Sequence, residues 1–248
     1  MLNYSLRRQR LVMVDGFRQW EIYEEAAGYK ASETVLIIVD MWDQNWSTGA
    51  NRRADVLADK INAAAIRARD KGILIVHAPS GTMDFYEGTE ARKRFLSLET
   101  PPAEQIPHPV NIVDYPHPVD SSDGGSDTDD PYPAGTNTWR RQTEKIFIDQ
   151  SRDLLMGDEG DRLYAHLVSR GIKFLIYAGV HANMCVLNRT FALRTMLRMG
   201  YKTALIRDLT DAMYNPAKSP YVSHEEGTAL VIGYIEKFYS PTIDSGQI

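Results

Sequence analysis

The sequence predicts an α/β fold: a doubly wound, mostly parallel sheet with helices on both faces, preceded by an N-terminal β-hairpin. Three observations predict it. Short apolar runs rich in β-branched residues recur at 34–40 (TVLIIVD), 73–79 (ILIVHAP) and 173–179 (KFLIYAG), as strands buried on both faces do. Helix-like stretches alternate with them and stop at Gly72, Gly171 and Gly200, where a glycine can end a helix. The strand–helix–strand order repeats, and right-handed crossovers of that kind join parallel strands.

The elements follow in order. Residues 4–25 read as two strands around Asp15-Gly16, a dipeptide favoured in tight hairpins; this polar, aromatic ribbon (1–30) is expected to be appended to the core. The first core strand ends at Asp40. A helix is expected over 53–71, with Val56, Leu57, Ile61, Ala64 and Ala68 on its apolar face. The next strand carries His77, expected as a hydrogen-bonded core ring. Between 87 and 143 the periodicity fails; the stretch holds PP at Pro101, two PHPV segments and the acidic run DSSDGGSDTDDPYPAG. A loop of that length is expected to be an ordered excursion over the active face. Its acidic run reads as solvated loop, with a cover over the site as the other reading.

Regular alternation resumes with a helix ending at Arg170 and the strand 173–179. A helix over 183–199 and the strand KTALIRD, closed by Asp208, come next. Ser223 and Glu226 have capping-box spacing and open a last helix to Phe238. No boundary divides the chain, which is expected to be one domain over 1–248.

Bulk properties restrict the function classes. The 248 residues are 43% hydrophobic and carry a net charge of −5, which gives no electrostatic basis for binding nucleic acid or an anionic membrane. No apolar stretch reaches the roughly 20 residues of a membrane span. A single cysteine cannot form an internal disulfide, and the expected location is cytoplasmic.

Ligands of open parallel sheets sit beyond the carboxyl ends of the strands. Asp40, His77, Asp208 and, just past Gly179, Cys185 occupy those ends. A cysteine at a helix start is favoured as thiolate by the free N–H groups and the helix dipole. With a carboxylate nearby it suits acyl transfer through a thioester, and the same N–H groups suit an oxyanion. A small buried core residue is the other reading of Cys185.

VLIIVDMWDQ, GVHANMCVLNR and the following helix–Gly–strand GYKTALIRD resemble the isochorismatase-like cysteine hydrolases, the superfamily of nicotinamidase-related amidases. The resemblance covers about 34–78 and 163–239. It implies Cys185 as nucleophile, Asp40 as general base, a cis peptide between Val180 and His181, and an oxyanion site on the amides of Ala182 and Cys185. His181 stands where the family usually has a small residue, which bears on substrate choice. The family's third catalytic group is a lysine at a strand end between the two motifs. Here Lys145 and Arg141 are the candidates, while a spacing count reaches Arg152. Phe85 and Tyr86 are expected to line the substrate pocket. The nicotinamidase Asp-x-His metal pair has no counterpart around Asp84, and His108 and His117 lie in Pro-His-Pro segments, so no metal or other cofactor is expected. The resemblance implies hydrolysis of a C–N amide bond in a small molecule by a homo-oligomer; the ribbon, rich in Arg, Trp and Tyr, is the candidate interface element. A vinyl-ether hydrolase and a catalytically silent binder are the alternatives.

Overall fold

A computed structural model describes residues 1–99, 110–130 and 138–248; Pro101, His108 and the end of the acidic run lie outside the described residues. Eight strands form one sheet: β1 (Leu2–Val14), β2 (Phe17–Tyr29), β3 (Thr34–Val39), β4 (Leu74–Ala78), β5 (Leu154–Leu155), β6 (Phe174–Val180), β7 (Lys202–Asp211) and β8 (Thr242–Ile243). Their spatial order is β2-β1-β8-β7-β6-β3-β4-β5. All pairings from β8 across to β5 are parallel, and β1 is antiparallel to both its neighbours. The helices are α1 (Thr48–Asp70), α2 (Glu90–Leu96), α3 (Gly160–Ser169), α4 (Cys185–Asn188), α5 (Leu193–Arg198) and α6 (His224–Phe238). None of the described helices is long and apolar enough to cross a membrane.

The hairpin forms as its turn dipeptide dictates, with Asp15 and Gly16 both at positive φ (51° and 85°). Its role differs from expectation. Arg7 of β1 pairs with Thr242 of β8, and Tyr4 and Leu6 are buried in the core cluster beneath α1. The base of the ribbon is therefore part of the main sheet, because strand β8 is too short to close that edge alone.

Strand β3 is buried along its whole length, as its unbroken apolar run requires. Helix α1 starts earlier than expected, at Thr48. Ser47 caps it, accepting from the Ala50 N–H. Its buried face is mostly alanine (Ala50, Ala54, Ala58, Ala64, Ala65, Ala68), which lets the helix lie close on the sheet, whereas Val56 points to solvent. The capping box at Ser223 and Glu226 is present and opens α6.

Three departures shape the active edge. The 87–143 segment is not wholly irregular: it contains α2, and residues beyond Trp139 pair with those after Asp40, through Asp43 N–H to Arg141 O (2.9 Å) and Thr143 N–H to Met41 O (2.8 Å). The helix expected over 183–199 is two helices. Thr190 binds Asp158 through its N–H and hydroxyl (3.2 and 2.7 Å), which pulls Arg189 into extended geometry (φ −66°, ψ 167°) and breaks the helix there. Strand β7 does not end at Asp208. Opposite Tyr177–Gly179 its register slips by three residues. The bulge turns Asp208 out to solvent, where it accepts from Ser245, and carries the strand on to Asp211.

Candidate active site

The crossovers from β3 and from β6 leave in opposite directions, so the sheet's switch point lies between these two strands. The strands meet closely there. A Cβ on Gly179 would stand 2.1 Å from the Val39 carbonyl oxygen, and Gly179 has φ +110°. Asp40 follows β3 and Cys185 follows β6, one on each side of this seam.

Asp40 is fully buried and held at φ 45°, an uncommon conformation for a non-glycine residue. Its N–H donates to Ala78 O (3.1 Å). One carboxylate oxygen accepts the Ser80 N–H (2.8 Å). The other accepts Nε and Nη2 of Arg189 (3.3 and 3.2 Å). The Cys185 thiol neighbours this carboxylate and Arg189 closely enough to interact electrostatically with both. Burial raises the Asp40 pKa; Arg189, the thiol and Ser80 oppose that shift without reversing it.

Cys185 is partly buried and packs against the core. Burial, then the neighbouring Asp40 charge, push its thiol well above the ordinary range, with Arg189 opposing. The expected resting thiolate is thus corrected. The helix it opens has four residues, too short a dipole to outweigh desolvation beside a carboxylate. The resting pair is a protonated thiol beside the buried Asp40 carboxyl.

The Val180–His181 peptide is cis. The Ala182 amide, expected to face an oxyanion, instead donates to Asp211 O (2.7 Å), because Ala182 continues the pairing of β6 with β7. Met184 and Val186 donate to His181 O (2.9 and 3.3 Å). Among the described residues no acceptor is found for the N–H groups of His181, Asn183 and Cys185, whereas the Ala182 N–H is engaged.

Neither candidate for the third group meets Asp40. Lys145 extends over α1 and pairs with Asp55 and Asp59 (2.7 and 3.4 Å). Arg141 pairs with Glu144 (2.6 Å), lies 3.8 Å from Asp43 and stacks over Phe85. Arg152 caps its own turn on Asp149. Two strands lie between the motifs: β4, which ends at Ala78, and β5, followed by Met156, which is buried in the core; neither ends in a basic residue. The positive partner of Asp40 comes from Arg189. The sequence carried the signal: Cys185 and Arg189 are four apart at a helix start and so share a face.

Phe85 and Tyr86 line a surface groove with Arg141, Thr143 and Phe147, whose walls contain neither Asp40 nor Cys185. Phe85 is exposed, while Tyr86 is buried and its oxygen accepts the Gln142 N–H (2.8 Å). His77 is a core ring between Gln142 and Asp153 (3.0 Å to each). His117 packs on the Tyr234 ring. Among the described residues, no three His, Cys, Asp or Glu side chains group as metal ligands do.

Sequence reasoning missed a second polar network on the β7 side. Arg53 pairs with Asp211 (2.9 Å) and Asp127 (2.6 Å), and His224 faces Asp211 Oδ1 (2.9 Å) and Tyr214 O (3.1 Å) with its two ring nitrogens. Both of those partners are acceptors, so the ring must donate twice. Burial disfavours its charge, but Asp211 outweighs burial and raises its pKa. The acidic run, expected as solvated loop, is instead docked over the start of α1. Asp130 accepts from Thr48 N–H and hydroxyl (2.8 and 2.7 Å), as an anion at a helix N-terminus does, and Ser126 donates to Ser47 (2.8 Å).

An open α/β sheet with an aspartate and a cysteine across its switch point defines a class of fold with a carboxylate–thiol site. No protein-family model matches the chain, and no curated protein matches it. Solved structures do. The chain is similar to a cysteine hydrolase from Pseudomonas syringae pv. phaseolicola 1448A, at 16% identity and TM-score 0.57 over 88% of this chain and 92% of that one. It is similar to an isochorismatase from Pseudomonas putida KT2440 (14%, TM-score 0.53, 90% and 93%). An isochorismatase family protein from Burkholderia thailandensis matches at 12%, TM-score 0.50, over 88% and 94%. The chain has the isochorismatase-like α/β fold.

Proposed function

We propose that the chain is a cysteine-dependent hydrolase that cleaves the C–N amide bond of a small molecule. The observation that supports this most is the Cys185 thiol against the buried Asp40 carboxylate, with Arg189 across both. Attack begins from the neutral thiol. As sulfur bonds to the amide carbon, the thiol proton passes to Asp40 and the carbonyl electrons move onto oxygen, towards the His181 and Cys185 amides. Collapse expels the amine, which takes the proton from Asp40 and leaves a thioester. Asp40 then deprotonates a water that attacks the thioester, and the thiol leaves protonated. Arg189 stays charged throughout; it holds Asp40 in position and keeps the carboxylate available as a base despite its burial.

The test is ammonia or amine release from a panel of small amides, compared with Cys185→Ala. Turnover that the variant loses while its melting temperature holds supports the hydrolase, as does a hydroxylamine-trapped acyl group on Cys185. Turnover retained by Cys185→Ala would overturn it. A silent binder is the second reading, favoured by Arg141 and Lys145, the candidates for the family's lysine, pairing with carboxylates other than Asp40. No hydrolysis by the native protein, with a small amide still bound, would select it.

Assembly as a homo-oligomer is proposed to use the ribbon tip, where Leu11, Met13, Phe17 and Ile22 are exposed. Light scattering should give a multiple of the 28.1 kDa chain and a monomer for Met13→Glu/Phe17→Glu. A monomeric native protein refutes this.

A further inference from the structure

Buried polar atoms without a partner are rare in folded proteins, and each asks for an explanation, of which an absent ligand is one. Outside arginine side chains, the described residues contain four: Tyr4 Oη, Thr138 Oγ1, Trp139 Nε1 and His181 Nε2. Tyr4 lies on the ribbon base against Phe174, at the start of β6 and so at the opposite end of the sheet from the site. The other three sit on the two chain segments that flank the catalytic pair.

On the β3 side, Trp139 stacks on Trp42 at 4.0 Å between ring centroids and 7° between planes. Trp42 Nε1 donates to Ser80 O (3.0 Å), and the Ser80 N–H donates to Asp40 (2.8 Å). The two-ring wall is thus tied through one residue to the carboxylate. The pairing of residues 141–143 with 41–43 fixes where Trp139 enters. Its N–H can only donate. On the β6 side, His181 opens the turn that ends at Cys185, its carbonyl accepting from Met184 and Val186. The His181 side chain is 3% exposed. Burial, with Arg53 and His224 adding to it against Asp211, lowers its pKa to about 4. The ring is therefore neutral at neutral pH, with one nitrogen to donate and one to accept.

We propose that Thr138, Trp139 and His181 recognise the substrate of the Cys185 site, and that this substrate is a small polar amide carrying at least one hydrogen-bond acceptor outside the scissile amide. The proposal rests on the reading of Cys185 as nucleophile. The Trp42–Trp139 wall takes a flat portion of the molecule, the Trp139 N–H and Thr138 hydroxyl one flank of it, and the His181 ring the other.

The probes are N-(pyridin-3-yl)chloroacetamide, which carries such an acceptor, and N-phenylchloroacetamide, which has the same shape without it. Each alkylates a thiol: the S–C bond forms, the C–Cl bond breaks, chloride leaves and the thiol proton goes to Asp40. The ratio of the two rates on Cys185, divided by the ratio for a free thiol, isolates recognition. The native protein is expected to prefer the pyridyl probe about tenfold, the worth of one hydrogen bond. Three variants remove the polar atom and keep the shape: Trp139→Phe, Thr138→Val and His181→Phe. One pyridine nitrogen reaches one flank, so the preference should vanish in the variants of one flank and persist in the other. No preference in the native protein, or a preference unchanged in all three variants, overturns the proposal. If neither probe alkylates Cys185, the nucleophile reading fails by itself. Calorimetry with the unreactive N-(pyridin-3-yl)acetamide and N-phenylacetamide then applies the same criterion to recognition.

Discussion

Two buried carboxylates, Asp153 and Asp40, each face an arginine, and they are built to opposite ends. Asp153 takes Arg69 through Nε and Nη2 (2.9 and 2.6 Å), His77 Nε2 (3.0 Å) and the Asp149 N–H (2.8 Å). Burial raises its pKa, but these partners outweigh burial and the net shift is downward. Asp40 receives longer bonds from Arg189 (3.2 and 3.3 Å) and one amide, with the Cys185 thiol beside it. There burial wins and the net shift is upward. The difference separates the two: the partners of the first hold it as an anion, while burial shifts the second towards its protonated form, the direction the proposed base asks for.

The largest effects should separate the two sites. Asp40→Asn is expected to lower amide turnover by at least about a thousandfold, since both chemical steps lose their base, while the melting temperature holds or rises. Asp153→Asn should do the reverse. It leaves Arg69 buried without its counter-charge, at a cost of about 3–5 kcal/mol, read by urea unfolding. If the two variants behave alike, the contrast fails.

Next comes Arg189→Met. The guanidinium holds the Asp40 carboxyl down against burial, so removing it should raise that pKa further. The acidic limb of the rate profile should move to higher pH, with Arg189→Lys in between. Arg189 Nη1 also lies 3.8 Å from Asp158, and an unmoved limb would mean that it serves that carboxylate alone.

The Asp211 network supplies the smallest effect. His224 has a raised folded pKa, so its contribution to stability is complete below the unfolded value of about 6.5 and is lost as pH rises through the folded one. A fall in stability on the order of 1 kcal/mol across that window is expected, and it should be absent in His224→Asn.

Much of this was legible in the sequence where a residue's role depends on its immediate neighbours. Asp15-Gly16 specifies its own turn, the apolar run before Asp40 specifies a buried strand, and Ser223 with Glu226 specifies a helix start. The positions of Asp40 and Cys185 followed, because the first directly follows a strand and the second opens the helix a short turn after one. What was not legible depends on distant partners. Strand β5 is two residues long and has no period to detect. The bulge in β7 puts Asp211 rather than Asp208 at the edge, and no local pattern marks it. The break after Asn188 needs Asp158, thirty-two residues away from Thr190. Arg189 was recoverable from its spacing to Cys185, but it lies after the cysteine, outside the stretch between the two motifs where the resemblance places a basic residue.

The most direct test of the thiol–carboxylate pair is the pH dependence of Cys185 alkylation by iodoacetamide, in the native protein and in Asp40→Asn. The chain has one cysteine, so the signal needs no other variant. If Asp40 takes the thiol proton during attack, native reactivity rises with the ionisation of Asp40, below the roughly 8.5 of a free thiol, and that rise disappears in Asp40→Asn. A single inflection at or above the ordinary thiol value, the same in both proteins, would contradict the pairing of Cys185 with Asp40 as nucleophile and base.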